Sequence, residues 1–209
     1  VESLAAKLRG ATLQRVRLLN PFLLRTALPP VASAEGRRVE GIERLGKRVV
    51  IALEGGLFLV VHLMIAGRLR WLAAGAKPPG RIMLAAFEFD AGTLVLTEAG
   101  SRRRASLHLV ADRAGLQALD PGGIDVLAGS LDEFAARLAA ENHTLKRALT
   151  DPRLFSGIGN AYSDEILHRA RLSPVALTRS LDAQATVRLV DATRAVMQEW
   201  TDRLRAEAA

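Results

Sequence analysis

A chain of 209 residues, 49% of them apolar, has enough material for one large domain or two smaller ones with packed cores. It contains no cysteine, which excludes disulfides and thiolate metal sites, and His62, His108, His143 and His168 are too scattered to suggest a ligand cluster. The formal charge of +7 is carried largely by arginines, clustered at Arg102-Arg103-Arg104, and suggests a polyanionic partner; a solvated arginine-rich surface is the plainer alternative.

In chain order, Glu2–Arg9 reads as a short helix closed by Gly10, and Thr12–Leu19 as a strand. Arg48–Leu53 and Leu57–Leu63 are β-branched, apolar runs joined by Glu54-Gly55-Gly56, a good hairpin turn. A second hairpin pairs Ile82–Phe89 with Thr93–Thr97 across Asp90-Ala91-Gly92, and Ser106–Val110 adds another strand. The run Leu57–Leu63 is far too short to span a bilayer, and Val1 opens no signal peptide. A soluble, cytoplasmic protein without membrane association is therefore expected.

Composition changes at Asp120-Pro121-Gly122-Gly123, and the remainder of the chain is helical in period. Leu131, Phe134, Ala135 and Leu138 share one face, with Ser130 or Asp132 near the N-cap; Ala183–Arg205 repeats the spacing with Val187, Val190, Met197, Trp200 and Leu204. The predicted fold is α+β: an antiparallel β-sandwich lobe over residues 1–118, a linker over 119–130 and a helical lobe over 131–209.

Leu145–Leu149 reads as the end of one helix and Tyr162–Ala170 as the start of the next. Pro152 argues against one continuous helix. Gly157 and Gly159 bracket Ile158, permitting tight turns and leaving backbone N–H groups unobstructed. Asn160 then stands where a helix begins and its first amides lack internal partners, a natural anion site. By itself, Gly-x-Gly-Asn could equally be an ordinary helical-hairpin turn with an Asn cap.

The whole stretch is more specific. Leu145-Lys146-Arg147-Ala148-Leu149, then Gly157-Ile158-Gly159-Asn160-Ala161-Tyr162-Ser163-Asp164-Glu165-Ile166-Leu167, then Ala170 and Pro174, closely resembles the helix–two-turn–helix of the formamidopyrimidine-DNA glycosylase and endonuclease VIII family. The resemblance implies that Gly157, Gly159 and Asn160 clamp phosphates beside a damaged nucleotide. Lys146 is either a further phosphate contact or part of a solvated helix face. Asp164 and Glu165 are structural, since carboxylates facing DNA would be repelled.

Gly46-Lys47 resembles the family's lysine-bearing turn, which implies that Lys47 contacts the phosphate next to the lesion and supports catalysis. His62-Leu63-Met64-Ile65-Ala66-Gly67-Arg68-Leu69-Arg70 resembles the family's His-Leu-Gly-Met-Ser/Thr-Gly-x-Leu-Arg segment, whose methionine is wedged into the duplex. Met64 stands where the family has Gly and Ile65 where it has Met, so either could be the wedge. Glu98-Ala99-Gly100-Ser101-Arg102-Arg103-Arg104-Ala105-Ser106 corresponds to the family's Asp-Pro-Arg-Arg-Phe-Gly loop, without its aromatic residue. Arg102, Arg103 and Arg104 are phosphate contacts, or one of them, Arg103 or Arg104, fills the void left by the flipped base.

Members of the family begin Pro-Glu-Leu-Pro, and the resemblance implies that the proline amine attacks the sugar while the glutamate handles protons. Val1-Glu2 resembles the tail of that motif. The nucleophile and acid/base are therefore expected outside this chain, which as it stands is expected to be inactive. The family usually continues into a Cys-x-x-Cys zinc finger, so zinc is expected only in a longer protein and no metal or cofactor is assigned here. The function implied is base-excision repair by a bifunctional glycosylase and abasic-site lyase, a bacterial nucleoid-associated monomer acting on damaged double-stranded DNA. A non-catalytic binder of distorted DNA is the alternative. An RNA-binding or ribosome-associated protein fits less well, because it explains neither the Lys47 turn nor the His62–Arg70 segment.

Overall fold

The computed structural model describes every residue except Ala74, Pro78, Ser101 and Ala209. The chain divides into two compact units, Val1–Leu119 and Asp120–Ala209.

The first unit opens with helix α1 (Glu2–Leu8) and continues through strands β1 (Thr12–Leu18), β2 (Arg37–Leu45), β3 (Arg48–Leu53), β4 (Leu57–His62), β5 (Gly67–Ala73), β6 (Met83–Phe89), β7 (Gly92–Glu98) and β8 (Ser106–Val110). Hydrogen bonds join them antiparallel in the order β5-β7-β6-β1-β2-β3-β4-β8. The β1–β2 link holds only two residue pairs, Thr12↔Arg38 and Leu13↔Arg37, whereas β1 runs beside β6 from Leu13 to Leu18. The sheet turns a corner at this weak join, and its two halves close on one core. Leu13, Phe87, Leu94 and Leu96 from one half pack with Ile51, Leu59, Leu107 and Leu109 from the other, all fully buried. The expected sandwich is thus a single sheet doubled over.

Strands β2 and β5 were not legible as apolar runs. In β2 only Val39 is fully buried among charged neighbours, and in β5 exposed Arg68 and Arg70 alternate with Leu69 and Trp71. Pairing with β3 and β7 makes them strands, and one packed face suffices. Helix α2 (Arg113–Gln117) lays Leu116 over Val50, Ala52, Phe58 and Val60 on the other face of the β3–β4 hairpin.

The second unit contains β9 (Ile124–Asp125), α3 (Leu131–Ala140), α4 (Leu145–Thr150), β10 (Phe155–Ser156), α5 (Asn160–Ala170) and α6 (Ala183–Ala208). Ser130 and Glu133 form a reciprocal capping box at the start of α3, a device worth about 1 kcal/mol. Phe134 of α3 meets Phe155 with ring centroids 4.2 Å apart, and Leu138, Leu149, Ile158, Ile166 and Leu189 join them in one core. Residues 124–126, inside the expected linker, pair β9 in parallel with β10 and bury Val126.

The expectation for Leu145–Leu149 needs correcting. It is a separate short helix, α4, and its first amides are satisfied from a distant segment: Leu145 N–H donates to Ala176 O (2.8 Å) and Lys146 N–H to Pro174 O (3.1 Å). Among the described residues no helix is long and apolar enough to cross a membrane.

Candidate nucleic-acid interface

In the second unit, the chain leaves α4 through Asp151, whose carboxylate pairs with the Arg153 guanidinium at 2.6 Å. That guanidinium holds the Asp151 carboxyl below the usual carboxylate range. Leu154, Phe155 and Ile158 then turn into the core, Ile158 with no exposure at all. Gly157 carries φ +90°, a conformation that L side chains rarely adopt, and this reversal drives Ile158 inward while the chain turns into α5.

Asn160 is the first helical residue of α5, at the helix start expected from sequence; the N-cap is Gly159, so the alternative of an Asn cap does not hold. No side chain caps this helix. The Asn160 carboxamide is exposed and makes no hydrogen bond within the described residues, its carbonyl alone accepting from Ser163 Oγ (2.7 Å). An uncapped helix start beside a free carboxamide is a set of donors awaiting acceptors. Lys146 behaves differently. Its Nζ donates to both Asp164 oxygens (2.6 and 2.9 Å), tying α4 to α5, so a phosphate would compete with that carboxylate. Glu165 accepts from the Trp200 indole N–H, fastening α5 to α6.

In the first unit, Lys47 occupies the two-residue turn closed by the Leu45↔Arg48 pair. It reaches solvent, yet neighbouring protein strips part of its hydration and holds its ammonium below the ordinary lysine value. Arg48 pairs across the sheet with His62, and Val60 with His108, which gathers Lys47, Arg48, His62 and His108 in one region. Desolvation first, then the charges of Arg48 and Lys47 and neighbouring His108, push His62 below the usual histidine range. Met64 N–H donates to His62 Nδ1 (2.9 Å), so the neutral ring carries its proton on Nε2.

The turn after His62 separates Met64 from Ile65. Met64 adopts φ +53°, the left-handed geometry that favours glycine, and is 43% exposed. Ile65 is 81% exposed at the tip. Gly67 closes the turn with N–H to Leu63 O (2.9 Å), and a Cβ there would stand 2.3 Å from that same oxygen.

Arg102, Arg103 and Arg104 are exposed, and Ser101 of the same segment lies outside the described residues. Arg103 Nη2 donates to Arg81 O (2.9 Å), while the Arg104 and Ala105 amides donate to the Glu98 carboxylate. Sequence reasoning missed His62 and Glu98. His62 stood inside a quoted motif, but nothing local signals that Glu98 is buried.

Residues 1–107 match the formamidopyrimidine-DNA glycosylase N-terminal domain, and residues 124–204 match the formamidopyrimidine-DNA glycosylase H2TH domain. The chain belongs to the formamidopyrimidine-DNA glycosylase family. The relative from Heliobacterium modesticaldum is 34% identical, the match covering 96% of this chain and 75% of the relative; that from Thermus thermophilus is 35% identical, covering 95% and 73%. The solved structure of the MutM (Fpg) protein from T. thermophilus superposes with TM-score 0.81 at 34% identity, over 95% of this chain and 73% of that one. A complex between Lactococcus lactis Fpg and DNA containing an abasic site shares the fold, with TM-score 0.86 at 22% identity over 95% and 75%. Membership places the chain among DNA glycosylases of base-excision repair. The zinc associated with the family does not fit the residues present: there is no cysteine, and among the described residues no group of three His, Asp or Glu could hold a metal ion.

Proposed function

We propose that this chain grips damaged double-stranded DNA for a bifunctional glycosylase and abasic-site lyase, alongside the bacterial nucleoid. The observation that carries the reading is the uncapped start of α5, whose first helical residue, Asn160, is exposed with no hydrogen bond to its carboxamide among the described residues, two positions after the fully buried Ile158. A phosphate oxygen supplies the acceptors those donors lack, and the helix dipole adds to the attraction. Gly157 and Gly159 shape this clamp. Lys47 adds a second phosphate contact: an ammonium already short of water loses less hydration when a phosphate approaches. His62 presents Nε2–H as a third donor.

Ile65, more than Met64, suits the wedge, since Met64 is tethered through its amide to His62 and serves the turn, while Ile65 projects freely. Arg103 and Arg104 extend from a braced loop and suit the space opposite an extruded base, with Arg102 free for phosphate. Lys146 supports the clamp by holding Asp164 away from the phosphate path. In this reading the chemistry at the sugar belongs to the family's N-terminal Pro-Glu.

The test is binding to a duplex with an abasic-site analogue across a salt series. Affinity is expected to fall steeply and log-linearly with salt, and Asn160→Ala to weaken it at every concentration. Salt-independent binding would sink the clamp. Borohydride trapping on abasic DNA, with a chain carrying the family's Pro-Glu start, separates enzyme from non-catalytic binder: a covalent adduct supports the first, none the second.

A further inference from the structure

Among the described residues Glu98 is the only ionisable residue that is buried, at 2% exposure. A carboxylate withdrawn from water is tolerated only where its lone pairs are filled. Here Oε1 accepts from Arg104 N–H (3.0 Å), and Oε2 accepts from Arg104 N–H (2.9 Å) and Ala105 N–H (3.0 Å). The location explains the need. Strand β7 ends at Glu98 and β8 begins at Ser106, yet they lie in opposite halves of the doubled sheet and do not pair. The returning backbone has no strand to receive its amides, and the carboxylate receives them instead.

The backbone of Glu98 performs a second task. It pairs with Gly67, the residue that closes the Ile65 turn and has no room for a Cβ. The preceding residue reinforces this edge, Thr97 Oγ1 donating to Arg68 O (3.4 Å). One residue thus anchors the Ile65 turn through its main chain and the arginine loop through its side chain.

We propose that Glu98 is a positioning residue that holds the Arg102–Arg104 loop in register with the Ile65 turn and thereby sets the preference for the base opposite a lesion. The inference rests on the proposed function, in which these two segments enter DNA. Chemistry makes it specific to a carboxylate. Glutamine is isosteric, but its NH2 would face an amide donor where an acceptor is required.

The experiment is a double-mutant cycle on this chain. It uses duplexes carrying a tetrahydrofuran abasic analogue opposite each of the four bases, and the undamaged duplex. Glu98→Gln is compared with the Arg102→Ala/Arg103→Ala/Arg104→Ala chain and with the combined chain. We expect the wild-type chain to discriminate among opposite bases by about tenfold. Glu98→Gln should compress that ratio to the level of the triple-alanine chain and add nothing in combination, while leaving the wild-type salt slope on undamaged DNA. Hydrogen exchange should show the Arg104 and Ala105 amides losing protection and the β6–β7 amides keeping theirs.

An unchanged ratio in Glu98→Gln, additive effects in the cycle, or retained Arg104 and Ala105 protection would each overturn the proposal. Should Glu98→Gln fail to fold, Glu98→Ala, which removes the acceptor outright, enters the same cycle with the same outcomes. A wild-type chain that binds lesion and undamaged duplexes equally breaks the functional reading instead, and amide exchange still judges whether Glu98 holds the loop.

Discussion

The Gly157–Asn160 turn and the Leu63–Gly67 turn solve opposite problems with similar materials. The first hides its one bulky side chain, Ile158, and leaves backbone donors outward at an uncapped helix start. The second engages its backbone, through Met64 N–H to His62 and Gly67 N–H to Leu63 O, and leaves a side chain outward at Ile65. An anion is held by amides, so a turn built for it needs glycine and a buried anchor. A base stack is opened by apolar bulk, so a turn built for that needs a satisfied backbone beneath an exposed side chain. The difference lies in which half of each residue is spent on the protein itself.

This contrast can be broken at either turn. The largest expected effect is at Ile158→Ala, which empties a fully buried site and should cost about 2–5 kcal/mol in urea unfolding. Next is Gly67→Ala. A Cβ 2.3 Å from the Leu63 carbonyl forces the turn open, with an expected loss of about 1–3 kcal/mol, read from the thermal midpoint. Asn160→Ala should leave that midpoint unchanged and weaken DNA binding about tenfold, the worth of one hydrogen bond to a charged acceptor. If Asn160→Ala instead unfolds the helical unit, Asn160 is an internal brace and the contrast fails.

Met64→Gly sharpens the comparison from the other side. It relieves a left-handed methionine and should raise stability by up to about 1 kcal/mol, because part of the relief is offset by the greater freedom of glycine when unfolded. The smallest effect is expected at His62. Burial and nearby cations depress its folded pKa, so below about 6.5 the unfolded chain binds the proton first and stability falls as pH drops through that value. Protonation also removes the acceptor for Met64 N–H. His62→Asn should therefore lessen the fall in thermal midpoint between neutral and mildly acidic pH, with His108, shifted in the same direction, supplying the remainder.

The sequence by itself determined the elements whose residues carry their own signal. The β3–β4 hairpin announced itself by β-branched runs around a Gly-Gly turn, and α3 by its apolar face and Ser130 cap. The Gly157–Asn160 turn was legible because its chemistry is local: a helix start needs only the residues that form it. Tertiary structure alone decided the rest. Strands β2 and β5 exist because neighbours complete their ladders, and the sandwich closes at two residue pairs that no periodicity marks. Only the fold distinguishes Met64 from Ile65, a positive φ falling on the first and the greater exposure on the second. Glu98 lay in plain view as a charged residue at a strand end, and only the fold, by burying it against two unpaired amides, made it an anchor. Backbone geometry over a few residues is written in their side chains; burial and long-range pairing depend on what the remainder of the chain brings alongside.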